Sequence, residues 1–341
     1  MKTLISKSLL AILSLLLVGG AASAQSAAAA GPYRIADPVQ YENLSVFLIH
    51  GKNEAEHPNV LTLQEAMAKN ILRVHETSDV NELAVENTSA EYEVFIQSGD
   101  IVKGGKQDRM LSVGVIVPAN SGRMPIEAFC VESGRWQQRQ GESAAQFSSS
   151  NDRIVSKALK LAANKERSQS EVWQQVAEVQ GKLGRSVGGS VTSAASQTSL
   201  QLSLENGQLA ASVEDYVEAL ANVVDGKSDA IGYAFAINGR INSAEVYASH
   251  DLFAKLWPKL LKASATEAVA EAQATPTPTA DADGAKDVQT FVDQALAAAP
   301  QERPVTDRVK MVTREGEDDI VFETVDAKSK SAIHRSFVRK D

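Results

Sequence analysis

The sequence is poor in cysteine, in aromatic residues and in net positive charge. Cys130 is the single cysteine among 341 residues, which excludes an intrachain disulfide and a zinc site built from several cysteines. Aromatic side chains make up only 5% of the chain, which argues against a surface that stacks single-stranded nucleic acid. Acidic residues outnumber basic ones by 43 to 34, and the net charge of −9 would repel a phosphate backbone. We therefore expect no nucleic-acid partner.

The N-terminus has the pattern of a secretory signal. Lys2 and Lys7 precede an apolar run from Leu9 to Val18, and Ala22–Ala24 is a small-residue cleavage pattern. The run is shorter than the roughly 20 residues that span a membrane, although an uncleaved anchor is the alternative. The residue directly after the cleavage pattern is Gln25 and not a cysteine, so a bacterial lipid anchor has no attachment point there. We expect residues 1–24 to be a signal peptide cut after Ala24, and the mature protein to lie in the periplasm without a membrane span.

The remaining composition is that of a globular protein, with 43% hydrophobic and 23% charged residues. From Tyr41 to Val131, apolar and β-branched residues recur with a period of two, which predicts strands. After residue 150 the period becomes 3.6, which predicts helices. We therefore predict an α+β fold, in which a mainly antiparallel sheet from the N-terminal half is packed by helices of the C-terminal half.

Composition shifts predict how the chain is divided. We expect an N-terminal linker over 25–40, a main α+β domain over 41–264, a Pro/Thr/Ala-rich linker over 265–286, and a small tail of one helix and three strands over 287–341. The tail has about 55 residues, near the lower limit for independent folding. It either folds alone or docks on the main domain.

Local signals predict several element ends. Thr62–Glu65 is a capping box that opens a short helix, and Asn238-Gly239 suits a hairpin turn that needs positive φ. Ser212 is expected to cap a further helix. Asp251–Lys262 has a helical pattern, and Pro258 within it is expected to break or kink the helix because proline lacks the backbone N–H.

The most unusual stretch is Val102–Arg109, which contains two glycines and three cations. A glycine-rich loop with Lys106 suggests phosphate, but a phosphate-binding P-loop needs a helix after the lysine, and here a strand pattern follows. A β-turn at the glycines fits better. Lys106, Gln107 and Arg109 therefore either form a solvated hairpin tip or take part in an anion site.

A strand register connects this stretch to residues further along the chain. If Arg109–Val117 and Met124–Glu132 form a hairpin, Arg109 faces Glu132, and the two charges close the end of an apolar face. Arg135 and Trp136 follow directly. Together with Lys106 and Arg109 they could line an anion pocket; the alternatives are a structural ion pair and a core position for Trp136.

Metal and cofactor motifs are lacking. The five histidines have no metal-ligand spacing, and no nucleophile elbow accompanies the serines. We expect no metal and no cofactor.

Several strings resemble a known family. They are LTLQEAM, IVKGGKQDRML, VPANS, CVESGRW and NGRINSAEVYASHDLFAKLWPKLL, and they lie between about residues 44 and 261. The chain resembles the ARG-and-rhodanese-phosphatase-associated protein domain, formerly a domain of unknown function. The family is named for gene association with ADP-ribosylglycohydrolase and phosphatase-like proteins. The resemblance therefore implies a link to nucleotide-derived signals.

Two functions are consistent with these patterns. The leading one is a non-catalytic envelope protein that binds an anionic small molecule or an envelope partner, because no catalytic spacing is found. The alternative is an enzyme or processing factor that acts on a phosphorylated or ADP-ribose-like nucleotide ligand. Either would use the same candidate residues, which are Lys106, Gln107, Arg109, Glu132, Arg135 and Trp136.

Overall fold

The computed structural model describes residues 32–54, 59–77, 79–139, 141–143, 146–273 and 283–340. The expected signal peptide lies outside these residues, as do positions 25–31 of the N-terminal linker and positions 274–282 of the second linker.

The strands and helices of the described residues alternate in short groups along the chain. The strands are β1 (Arg34–Ile35), β2 (Val39–Tyr41), β3 (Leu44–His50), β4 (Val60–Thr62), β5 (Leu72–Glu76), β6 (Glu82–Asn87), β7 (Glu93–Ile96), β8 (Asp100–Gly104), β9 (Arg109–Leu111), β10 (Val115–Val117), β11 (Gly122–Cys130), β12 (Phe147–Arg153), β13 (Ala230–Ile237), β14 (Arg240–Tyr247), β15 (Pro300–Pro304), β16 (Val309–Glu315), β17 (Asp319–Asp326) and β18 (Ala332–Arg339). The α-helices are α1 (Leu63–Ala68), α2 (Lys157–Asn164), α3 (Gln169–Ser186), α4 (Leu200–Leu204), α5 (Gly207–Leu220), α6 (His250–Ala270) and α7 (Ala285–Ala297).

A nine-stranded sheet forms the centre of the described structure. Its order is β1-β3-β13-β14-β18-β17-β16-β15, with β2 beside β3. The β13–β14 hairpin turns at Asn238 and Gly239, whose φ angles of 51° and 76° are those that a tight hairpin turn requires. β3 pairs with one edge of the hairpin and β18 with the other. Both strands are buried almost throughout, because side chains of β13 pack in apolar clusters with α6 and with α7.

The segment from 287 to 341 adds its strands to this sheet. β18 pairs with β14, and α7 packs Val288, Phe291 and Val292 in one apolar cluster with Phe337 of β18. The segment has a fourth strand, β15, that the sequence pattern did not predict. Pro300 and Pro304 explain the omission, because proline removes backbone donors and is confined to strand ends and edges.

Two smaller sheets come from the N-terminal half. One has the order β12-β8-β9-β11-β6-β5 and the other β10-β7-β4, and all pairs between the described strands are antiparallel except β4–β7. The predicted α+β class with mainly antiparallel sheets is confirmed. The division into a sheet half and a helix half holds only loosely, because the nine-stranded sheet joins strands from both ends of the chain.

The expected single strand Arg109–Val117 is wrong. It is divided into β9, which pairs with β11, and β10, which pairs with β7 of another sheet. The chain crosses between the sheets at Gly114, where an added Cβ would lie 2.2 Å from Oγ1 of Thr324. Only glycine permits this close approach, and hydrophobic alternation along the segment does not reveal the crossing.

Two helix predictions also need correction. α5 begins at Gly207 with Asn206 as its N-cap, so Ser212 lies inside the helix. α6 continues through Pro258 and ends at Ala270, so it has no break and occupies the first residues of the expected 265–286 linker. An internal proline costs about 3 kcal/mol, and burial of the large apolar face of α6 outweighs this cost. The capping box at Thr62 is confirmed, with its reciprocal hydrogen bonds to Glu65.

Candidate functional site

The predicted site residues lie at one corner of the six-stranded sheet, where the β8–β9 turn meets the loop that follows β11. We call them, with Asp108 and Arg139, the corner cluster. Two glycines make the turn. Gly104 and Gly105 have φ angles of 117° and 59°, and a Cβ on Gly105 would lie 2.3 Å from Cζ of Phe147. The Gly-Gly pair is therefore needed for backbone conformation and for space.

The expected Arg109–Glu132 pair is wrong. β9 and β11 pair so that Arg109 lies opposite Cys130, and Glu132 lies beyond the end of β11. Arg109 therefore pairs with a residue two positions earlier in the chain than expected. The expected register assumed one continuous hairpin, but β9 ends at Leu111, so the hairpin turn does not set the pairing of Arg109. Glu132 instead forms a bidentate pair with Arg135, with 2.7 Å from Nε to Oε1 and 2.7 Å from Nη2 to Oε2.

Arg109 is fully buried and only partly hydrogen-bonded. Its Nη1 donates to Oε1 of Gln107 at 3.2 Å and to Sγ of Cys130, while its Nη2 lies 3.5 Å from Oε1 of Glu76. The Nε and Nη2 atoms are buried without a hydrogen-bond partner, as is Oε1 of Glu76. A buried guanidinium with unused donors is costly, and such a group calls for an explanation.

Asp108 and Arg139 form the tightest pair of the corner cluster, and sequence reasoning missed it. Arg139 donates to both Asp108 oxygens at 2.7 and 2.6 Å, Ser199 donates at 2.8 Å, and the Gly104 amide donates at 3.0 Å. Asp108 is fully buried. The one local signal was the Ser199 N-cap of α4; the partnership across the chain has no sequence spacing that would predict it.

The environment shifts two acid–base groups of this corner in opposite directions. Burial alone would raise the pKa of Glu132, but hydrogen bonds from Arg135 and its charge outweigh burial and lower that pKa. Burial raises the pKa of the Cys130 thiol to about 11, although the nearby Arg109 opposes this effect. At neutral pH Glu132 is therefore ionised and paired, and Cys130 is an uncharged thiol.

Trp136 lies at the surface over the buried part of the cluster. Its side chain is 47% exposed, its ring centroid lies 5.0 Å from Nζ of Lys106, and it lies 5.6 Å from Cζ of Arg109. These distances are those of cation–π contacts. The core position considered for Trp136 is therefore excluded. Val80 is another exposed apolar residue, and its carbonyl accepts from Sγ of Cys130 at 3.7 Å.

The six predicted site residues thus come together, but at different depths. Gln107, Arg109 and Glu132 are buried, Arg135 and Lys106 are half-buried, and Trp136 is exposed. Each buried carboxylate of the cluster is held by an arginine, which leaves it poorly placed to exchange protons with a substrate. At the surface, the flat ring of Trp136 lies beside the half-buried cation Lys106, and this arrangement suits binding.

The described residues contain neither a group of metal ligands nor a helix that could span a membrane. No group of three His, Cys, Asp or Glu side chains in the described ranges is placed to hold a metal ion. None of the helices in the part of the chain that the structure describes has the length and apolar character needed to cross a bilayer.

Comparison with other proteins gives one result. No curated protein and no solved structure matches the chain. The model of the ARG and Rhodanese-Phosphatase-superfamily-associated Protein domain matches residues 32–338, which include the corner cluster and all the strands and α-helices described above except the last residue of β18. The chain therefore belongs to this family.

Proposed function

We propose that the protein is a non-catalytic binding protein that takes an anionic ligand with a planar ring on the surface formed by Trp136 and Lys106, with Arg109 buried beneath them. One observation carries the proposal. An exposed indole lies within 5.0 Å of one cation and 5.6 Å of a second, and the second is a buried arginine with unused N–H groups.

The chemistry of this surface favours a nucleotide-like ligand. An exposed indole can stack with a base, a contact worth about 1–3 kcal/mol, and the half-buried Lys106 beside it can pair with phosphate oxygens. The gene association for which the family is named points to the same class, since ADP-ribose contains both a base and phosphates. Binding is favoured over catalysis because Glu132 and Asp108 are held by arginines.

A ligand panel tests the proposal. The mature protein is titrated with ADP-ribose, AMP, ribose 5-phosphate and inorganic phosphate while thermal unfolding and tryptophan fluorescence are followed. We expect ADP-ribose and AMP to raise the melting temperature and to quench Trp136. Trp136→Ala should weaken binding about 5- to 150-fold, which is the stacking contribution expressed as an affinity ratio.

The matched variants make the outcome specific. Lys106→Gln should weaken binding as well, whereas Lys227→Gln, the same change at an exposed lysine on another part of the surface, should leave it unaltered. Equal affinity of Trp136→Ala and the unmodified protein would refute the site. A panel without any response would refute the ligand class.

A protein partner in the envelope is the second candidate. Trp136 is 47% exposed, and its ring centroid lies 5.6 Å from Cζ of Arg109. Exposed aromatic side chains are enriched at protein–protein interfaces. Crosslinking from position 136 in the envelope distinguishes the two candidates. A protein partner should give one defined crosslinked species, whereas a protein that binds only a small molecule should give none.

Export is part of the proposal and is supported by the charged, apolar and small-residue segments of the N-terminus. The intact mass of the protein isolated from the envelope tests it. Loss of residues 1–24 is expected, and their retention would indicate an anchor.

A further inference from the structure

A second buried ionic cluster lies away from the corner cluster, around Glu245 of β14. Oε1 of Glu245 accepts from Nζ of Lys160 at 2.8 Å and from Nη1 of Arg153 at 3.3 Å, and Oε2 lies 2.6 Å from Nε2 of His334. All four side chains are at most 8% exposed. Side chains from β12, α2 and β18 therefore meet at the carboxylate that β14 supplies.

A small cavity adjoins this cluster. Its volume is about 20 Å³, which is enough for one water molecule or one monatomic ion. Its lining includes the cations Arg153 and Lys160, the hydroxyls of Thr324 and Ser336, and the apolar side chains of Met311 and Phe322. Among the described residues that line it, none is a carboxylate. Cations and hydroxyl groups therefore line one part of the cavity, and apolar side chains line the rest.

Two cations meet one carboxylate next to the cavity. Glu245 supplies one negative charge against the two cations Arg153 and Lys160. Lys259 is neutralised separately, because its Nζ lies 2.6 Å from Oδ1 of Asp100. Burial lowers the pKa of His334, so its imidazole is neutral near pH 7 and adds no charge. Arg153 and Lys160 therefore share a single carboxylate oxygen as their ion-pair partner.

Glu267 is the other carboxylate near Lys160, and it is engaged elsewhere. It accepts from the Lys157 amide at 2.9 Å and from Nδ2 of Asn242 at 3.0 Å. Burial raises its pKa. Among the described residues, the ion pairs of Arg153 and Lys160 are formed with Glu245 and not with Glu267.

Donors next to the cavity are also unused. Nε of Arg153 is buried without a hydrogen-bond partner. The Lys160 ammonium carries three N–H groups, and one of them is used by Glu245. A buried cation with unsatisfied donors is strongly unfavourable unless an anion or a polar molecule lies beside it.

We propose that this cavity binds one halide ion, chloride in the cell, between Arg153, Lys160 and the hydroxyls of Thr324 and Ser336. The size of the cavity selects a monatomic anion over phosphate, sulfate or a carboxylate. The ion gives Arg153 and Lys160 a second anionic partner and fixes β14, β18, β12 and α2 to one another. This site is independent of the Trp136 surface.

Bromide scattering tests the site directly. Crystals of the mature protein grown with sodium bromide in place of sodium chloride should show an anomalous peak in the cavity. In solution, chloride added to protein in gluconate at constant ionic strength should raise the melting temperature along a saturable curve, and bromide should do the same. A cavity without an anomalous peak, together with an equal response to chloride and gluconate, would overturn the proposal and assign the space to water.

Variants separate this site from general salt effects. Ser336→Ala removes one donor and should weaken chloride binding about fivefold. Lys160→Gln should abolish the chloride response, and Lys227→Gln, at an exposed lysine, should retain it. Where Lys160→Gln fails to fold, Ser336→Ala alone decides the question. A chloride response unchanged in Ser336→Ala would place the ion elsewhere and refute the site.

Discussion

The buried Asp108–Arg139 pair gives the sharpest prediction for the corner cluster. Arg139→Met removes two hydrogen bonds of 2.7 and 2.6 Å from a carboxylate that has no exposed surface. The donors from Ser199 and Gly104 remain, and Nη2 of Arg135 lies 3.9 Å away. Because these donors replace part of the lost stabilisation, we expect the low end of the range for a broken buried pair, about 3 kcal/mol.

Urea unfolding followed by circular dichroism measures this loss. The matched control is Lys310→Met, which breaks a pair of 2.8 Å between side chains that are 37% and 55% exposed, and it should cost under about 1 kcal/mol. Asp108→Asn and the double variant complete a double-mutant cycle with Arg139→Met. The coupling energy between residues 108 and 139 should lie near the upper end of about 0.5–3 kcal/mol. If Arg139→Met costs no more than Lys310→Met, burial does not strengthen the pair and the reasoning fails.

Four further predictions concern individual residues. Folding lowers the pKa of Glu132, so the ionised carboxylate stabilises the folded state above the unfolded pKa of about 4.5. This stabilisation is lost as the pH falls through the folded pKa. Between about pH 6 and pH 3, the urea midpoint should therefore fall less steeply for Glu132→Gln than for the unmodified protein. Gly105→Ala should destabilise the fold by about 2 kcal/mol more than Gly122→Ala, since both positions have positive φ but only the Cβ at 105 would meet Phe147, and equal urea midpoints would contradict this. Pro258→Ala should stabilise the protein by about 1 kcal/mol or more, because the position is exposed within α6 and the change restores a backbone donor; a lower melting temperature would be the opposite result. Cys130 should resist a thiol-specific reagent at about pH 8 until the protein unfolds, since its thiol is buried with a pKa raised to about 11, and fast labelling of the folded protein would contradict that placement.

Signals contained in a few neighbouring residues were predicted well. The Thr62 capping box and the Asn238-Gly239 turn formed as expected. Each depends on contacts within one turn. The grouping of Lys106, Gln107, Arg109, Glu132, Arg135 and Trp136 was also accessible, because the β9–β11 pairing joins two segments close in sequence.

Features that depend on distant packing were not accessible. The crossing at Gly114 depends on Thr324, more than two hundred positions away, and it shifted the register that would have paired Arg109 with Glu132. The hydrogen bonds of Asp108 come from Arg139 and Ser199, and their positions follow from how the loop and α4 pack. Hydrophobic periodicity identifies which face of an element is buried, but it carries no information on which charged side chains share that interior.

The position of β14 in the middle of the large sheet has a consequence for how the protein is made. One edge of β14 is covered by β13, its immediate neighbour in the chain, but the other edge waits for β18, which begins at Ala332. A nascent chain therefore carries an open apolar strand edge until residues 332–339 have been synthesised, and such edges pair readily with other chains. Loss of β18 by truncation or by proteolysis would leave an aggregation-prone product and not a smaller working protein. β18 thus protects a strand edge that is synthesised long before β18 itself.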